Sequence, residues 1–240
     1  MADDELIQKV RELRAQGMTP REIARSLGVR PAEVSALIRE LAAERDNANP
    51  DADLLGCWLN AGWSAGLGVP DRPDWRDPGA GNGTEGLLTA VVARRRRHRH
   101  QVTACTYLVD AYCLGVKNAM GPDEVDDRGL RSLTDLVFSA YAGPPVSTPI
   151  DLVRDLVLGA VEYAHGLGFA PHPDFEQARL HLGPWKGPSA ITFGCDGQPL
   201  YINGPDDDPD RILRTLRRTV GDGGFRHSIA LGLDELRMAG

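Results

Sequence analysis

Three groups of residues in this chain have types and spacings that could do chemistry. The sharpest is the run RRRRHRH, which sets five arginines among seven residues. At a hairpin tip Arg94, Arg95, Arg96, Arg97 and Arg99 could grip a nucleic-acid backbone, and His98 and His100 would add charge as pH falls below about 6.5. The same run also serves, with no partner at all, as a charged tip that keeps two strands from pairing with neighbours. The second group is a single carboxylate, Asp110, inside the apolar stretch YLVDAYC. A buried aspartate is either hydrogen-bonded, as the cap of the helix it precedes, or perturbed enough to act as an acid, base or ligand. The third is the pair Glu162 and His165, an ExxH followed by His172 and Asp174. Di-iron helical bundles use that spacing but need a second copy, and the sequence has none. Asp110, Glu162, His165 and His172 would be the working groups of a metal-dependent hydrolase; His172 between two prolines equally suits a rigid turn. No metal or cofactor is expected, and binding is favoured over catalysis. The GxSxG match at Gly62 to Gly66 is set aside, because residues 1–53 before it read as short helices and a polar connector and leave no room for the strands of a nucleophile elbow.

A fourth set of candidates depends on position rather than on reactivity. In PREIARSLGVRPAEVSALIR, Pro20 to Arg39, Thr19 can cap a helix whose first residue is Pro20, and Glu22 completes a capping box. Ile23 and Leu27 share a face, Ala24 allows close crossing, and Gly28 ends the helix where a left-handed backbone is cheapest. Pro31 opens a second helix whose stripe is Val34, Leu37, Ile38 and Leu41. An earlier helix from about Asp3 to Gln16 offers Leu6, Ile7, Val10 and Leu13 to the same core. The expectation is a three-helix head over residues 1–44.

Through Ile23, Ala24, Leu27, Gly28, Val29, Val34 and Leu37, residues 19–41 resemble the helix-turn-helix of site-specific recombinases, sigma-factor promoter-reading domains and many small repressors. The resemblance implies that the second helix enters the DNA major groove. Arg30, Ala32, Glu33, Ser35, Ala36 and Arg39 would then meet base edges, and Thr19 and Arg21 would meet phosphates. The charge balance tempers this, since eight Lys or Arg are matched by eight Asp or Glu over residues 1–45. DNA affinity comes largely from neutralising phosphates, so a neutral head binds weakly alone or acts in two copies. A purely structural or protein-binding head is the alternative.

Composition sets the remaining bounds. The 240 residues fit one small module and one medium domain, and 42% hydrophobic content is ordinary for a globular fold. The net charge of −7 falls entirely outside the head. No apolar run approaches the roughly twenty residues that span a bilayer, and the acidic start is unlike a signal peptide, so a cytoplasmic protein without a membrane partner is expected. Cys57, Cys105, Cys113 and Cys195 form no CxxC pair and suit buried apolar thiols.

Residues 45–53, polar and carrying Pro50, read as a linker. Residues 54–240 read as one α+β domain with antiparallel hairpins packed on helices. Within it LLGCWLNAGW reads as a short helix, and the Pro- and Gly-rich stretch that follows as a long surface loop. Leu87 to Ala93 and Gln101 to Val109 read as a hairpin around the basic run. A helix is expected from about Asp110, with Tyr112, Val116 and Met120 at fourfold spacing and Lys117 able to reach Asp110. Further helices are expected at Leu130 to Ala142, at Pro149 to Leu167 with Thr148 in its cap, and from Asp208 through Val220. AITF and PLYI read as a second hairpin about Asp196-Gly197, and Phe225 to Leu231 as a final strand. Through YLVDAYCLGVKNA and GAVEYAHGLGFAPHPDF this part is similar to an uncharacterised bacterial domain, which implies no activity. The function these signals favour is DNA binding in transcription regulation, with the larger domain dimerising or sensing an effector. RNA or ribonucleoprotein binding through residues 94–100 and the metal-dependent hydrolase are the alternatives.

Overall fold

The computed structural model describes residues 3–48, 50–75, 77–79, 84–95 and 101–228. The chain divides into two compact units, Met1–Ala52 and Asp53–Gly240. Together they form an α+β protein.

The first unit is three helices: α1 (Asp3–Ala15), α2 (Pro20–Leu27) and α3 (Pro31–Ala48). Thr19 and Glu22 form the full capping box at the start of α2. The Glu22 backbone N–H donates to Thr19 Oγ1 at 3.3 Å, and the Thr19 N–H donates to the Glu22 carboxylate at 2.7 Å. Gly28 takes φ +67° and its N–H returns to the Ala24 carbonyl, closing the helix with the left-handed residue that glycine adopts without steric cost. Leu6 and Val10 from α1, Ile23 and Ala24 from α2 and Val34 from α3 form the buried centre. Helix α3 continues to Ala48, so the expected linker begins as helix rather than as loop.

The second unit is built on a five-stranded antiparallel sheet in the order β4-β3-β2-β1-β5. Its strands are β1 (Leu54–Leu59), β2 (Leu87–Arg95), β3 (Val102–Asp110), β4 (Gly115–Val125) and β5 (Val146–Ser147). β2 and β3 are the expected hairpin, in continuous register from Leu87 opposite Asp110 to Arg95 opposite Val102. Leu88, Ala90, Val92, Cys105, Tyr107 and Val109 point to one face and meet α5 (Ile150–Gly166) and α6 (Phe175–Leu182). Ala93, Val102 and Ala104 point to the other and meet α4 (Asp127–Phe138) through Leu130. Burial on both faces explains why these strands read as unbroken apolar runs. In a separate cluster α7 (Pro209–Val220) packs Ile212, Leu213 and Leu216 with Leu167, Tyr201 and Phe225. Beside it β6 (Leu200–Ile202) pairs in parallel with β7 (Arg226–Ser228).

Four expectations give way here. LLGCWL is β1 rather than a helix: Cys57 and Leu59 alternate with half-buried neighbours, the period of a strand. The segment after Asp110 is a tight turn into β4, because Gly115 at φ +71° and the Asp110 carboxylate reverse the chain. AITF and PLYI do not pair; Thr192 bridges Gly68, PLYI pairs with β7, and the Asp196-Gly197 turn closes only the Cys195 to Gln198 bridge. Finally, α5 starts without a side-chain cap, and Thr148 Oγ1 is buried with no hydrogen-bond partner among the described residues.

Candidate nucleic-acid interface

Helices α2 and α3 are joined by three residues, Gly28, Val29 and Arg30. The turn is tightly held: the N–H of Val29 returns to Ala24 at 3.1 Å, and those of Glu33 and Val34 return to Arg30. With Ile23, Ala24 and Val34 turned inward, the start of α3 must face outward on its other side. Arg30, Ala32, Glu33 and Arg39 are exposed there, and Ser35 and Ala36 are half-buried. Of the six sequence candidates for base contact, Arg30 ends the turn and the other five lie along the first turns of α3.

Their polar atoms differ in availability. The Arg30 side chain is 88% exposed, with Glu33 at 3.8 Å, a solvated pair worth little. Ser35 Oγ donates to the Pro31 carbonyl at 2.8 Å, and Arg39 Nε donates to the Ser35 carbonyl at 3.3 Å. Of the two phosphate candidates, Arg21 is exposed on α2. Thr19 is committed elsewhere: its hydroxyl donates to the Glu22 carboxylate at 2.7 Å, and that is the one proton a phosphate would need. The Thr19 backbone and hydroxyl together hold the Glu22 carboxyl below the usual carboxylate range. Arg25, also exposed and one turn after Arg21, shares the outer face of α2 and was not singled out in the sequence; its i, i+4 relation to Arg21 was the available signal.

The basic run divides at its start. Arg96, Arg97 and Arg99, with both histidines, lie outside the described residues. Arg94 is a structural residue: it is buried, its Nη1 pairs with Asp53 at 2.7 Å, and its Nε donates to the His181 carbonyl at 2.7 Å. A third bond runs from Nη2 to the Leu182 carbonyl. Arg154 of α5, also buried, donates Nε to the same Leu182 carbonyl at 2.8 Å. Two guanidiniums therefore cap the C-terminal end of α6, where unpaired carbonyls and the helix dipole favour cations. Gly183 leaves room for them; a Cβ there would stand 2.7 Å from Arg154 Nη2. Arg94 is thus withdrawn from the set facing a nucleic acid. Arg95 is half-exposed, with Asp127 at 4.0 Å.

The hydrolase residues are not gathered. Glu162 and His165 are exposed on α5 and His172 sits in the turn before α6, where its Nδ1 accepts from the Asp174 N–H. Asp110 is buried and accepts the N–H groups of Tyr112 and Cys113 at 2.9 and 3.0 Å. It caps the turn into β4, and burial pushes its carboxyl up to about 6 against those bonds. Lys117 pairs with Asp207 at 2.8 Å instead of with Asp110. Among the described residues no three His, Cys, Asp or Glu side chains converge to hold a metal ion. Ser64 does follow a strand, β1, but no helix follows it, and its hydroxyl donates to Asp77 at 3.0 Å as part of a loop clamp with the N–H groups of Gly62 and Gly79.

An open cleft of about 600 Å³ lies beside the start of α5, walled by Trp75, Asp77, Val146, Thr148 and Leu152. Trp75 Nε1 and Thr148 Oγ1 are buried at its wall without a protein partner among the described residues. No helix of the described residues is long and apolar enough to cross a membrane. No protein family, curated protein or solved structure matches the chain.

Proposed function

We propose that this chain is a DNA-binding protein, a transcription regulator whose α3 reads the major groove and whose second unit dimerises or senses an effector. The observation that carries it is the open outer side of α3. A capped α2 and a three-residue turn leave Arg30, Ala32, Glu33 and Arg39 exposed, with Ser35 and Ala36 half-buried between them, at the start of a helix of the kind a major groove admits. Arg21 and Arg25 are exposed on α2 and suit phosphates. Because the head carries as many acidic as basic residues, its own affinity is low, and tethering two copies through a dimer raises local concentration enough to compensate. The cleft beside α5, apolar with a few polar atoms, has the character of a small-ligand site.

Gel retardation of genomic fragments by the full chain, at low salt, tests this. The expected result is retardation of a subset of fragments that fades as salt rises, and is lost with the double variant R30Q/R39Q. Folded full-length protein that retards no fragment overturns the proposal.

A further inference from the structure

Helix α7 is more than the amphipathic plug its apolar stripe suggests. Ile212, Leu213 and Leu216 take one side into the core. The opposite side carries Arg211, Arg214, Arg217 and Arg218, all exposed, against a single acidic residue of the helix, Asp210. In a chain of net charge −7 this is a concentrated basic face.

Ordinary helix stabilisation accounts for only part of it. Arg217 and Arg218 lie in the last turn, where cations complement the helix dipole, but Arg211 lies in the first turn, where a cation opposes it. Asp208 spends its carboxylate on the Arg211 N–H at 3.0 Å as the N-cap, and Arg217 meets Asp222 at 3.2 Å with that aspartate 88% exposed. An exposed pair of this kind yields readily to a better anion. Arg211, Arg214 and Arg218 make no ion pair with a described residue. Asp206, Asp208 and Asp210 stand at the N-terminal end and confine the basic surface to the body of the helix.

We propose that this face of α7 binds the sugar-phosphate backbone of double-stranded DNA. Arg211 to Arg218 spans about 10 Å of helix axis, which matches the axial rise of about three phosphates on one strand. A row of fixed positive charges suits phosphates, and the face carries no apolar side chain to seat a protein or aromatic side chain to stack unpaired bases. The inference rests on the DNA-binding role of the head: a neutral head needs phosphate neutralisation from elsewhere in the chain, and α7 supplies it.

The test uses the full chain and a short mixed-sequence duplex, with fluorescence anisotropy from about 50 to 200 mM salt. R211Q/R214Q/R218Q is expected to weaken binding at least about tenfold on every duplex and to lower the salt slope by about 2 to 3. R211K/R214K/R218K, which keeps the charge, is expected to recover most of the affinity; equal weakness in both variants overturns a charge-based contact. R30Q/R39Q separates the two ideas. If the α7 glutamines change nothing while R30Q/R39Q abolishes binding, the α7 contact fails and the head stands. If the α7 glutamines weaken binding while R30Q/R39Q does not, the head's role fails and the α7 contact survives. Wild-type protein that binds no duplex, or binds single-stranded RNA of equal length more tightly through the same arginines, overturns the α7 proposal.

Discussion

Arg94 at the end of β2 and Arg30 at the start of α3 carry the same guanidinium into opposite surroundings. The side chain of Arg94 is 9% exposed and that of Arg30 is 88% exposed. Arg94 belongs to the densest basic run of the chain, yet the register of β2 with β3 turns it inward onto Asp53 and the carbonyl end of α6. Arg30 stands alone between a glycine turn and a proline, and that local geometry leaves it outside. Density of charge in a sequence therefore says less about a binding surface than the element that orients each side chain.

The comparison can be broken first at Arg94. Arg94→Gln takes a donor from Asp53, which is 36% exposed, and from the His181 carbonyl, while the Leu182 carbonyl keeps Arg154; losing these charge-assisted bonds costs about 3 kcal/mol. All four tryptophans fall within the second unit, so denaturant unfolding followed by indole fluorescence reads this loss directly. A change below about 1 kcal/mol would show that Arg94 is dispensable and return it to the surface set.

Asp110 gives the next largest effect, with pH as the variable. Its carboxyl titrates at about 6 in the folded protein and near 3.9 in an unfolded chain. The folded form thus holds the proton more tightly, and this group's contribution to stability falls as pH rises from about 4 to 6, by about 3 kcal/mol. Asp110→Asn keeps an acceptor for the Tyr112 and Cys113 N–H groups and removes the titration. Its stability relative to wild type should rise over that window; a flat difference would mean that Asp110 is not desolvated.

Smaller effects sharpen the head. Thr19→Ala removes the capping oxygen of α2 and should cost about 1 kcal/mol of head stability, read by far-ultraviolet circular dichroism. No change would mean that Thr19 is free for another role. Arg30→Gln, exposed and only loosely paired, should alter stability by less than about 0.5 kcal/mol. A larger loss would make Arg30 as structural as Arg94.

How much could be read in advance follows the same division. Thr19, Pro20, Glu22, Gly28 and Pro31 act on their immediate neighbours, so the three helices and their turn were legible from local chemistry. In the second unit the α+β class, the β2-β3 hairpin, α5 and α7 were legible from long apolar patterns. What failed depended on distant partners. Trp58 and Leu59 suit a helix as well as a strand until β2 and β5 pair with them. Tyr112, Val116 and Met120 keep helical spacing, but Gly115 and Asp110 turn the chain first. Helix α6 was overlooked although Phe175, Ala178 and Leu182 keep a helical period, because eight residues between loops give a short signal. Among site candidates, the exposed face of α3 was legible, whereas the inward path of Arg94 and the dispersal of Asp110, Glu162, His165 and His172 needed the tertiary structure.

The most direct test is a footprint of the full chain on the genomic fragment it retards best, compared with R30Q/R39Q. We expect protection that includes major-groove positions of a short defined segment, lost in the variant while the variant stays folded. Protection unchanged by R30Q/R39Q, or no protection on any fragment at low salt, would contradict the assignment of α3 as the DNA-reading element.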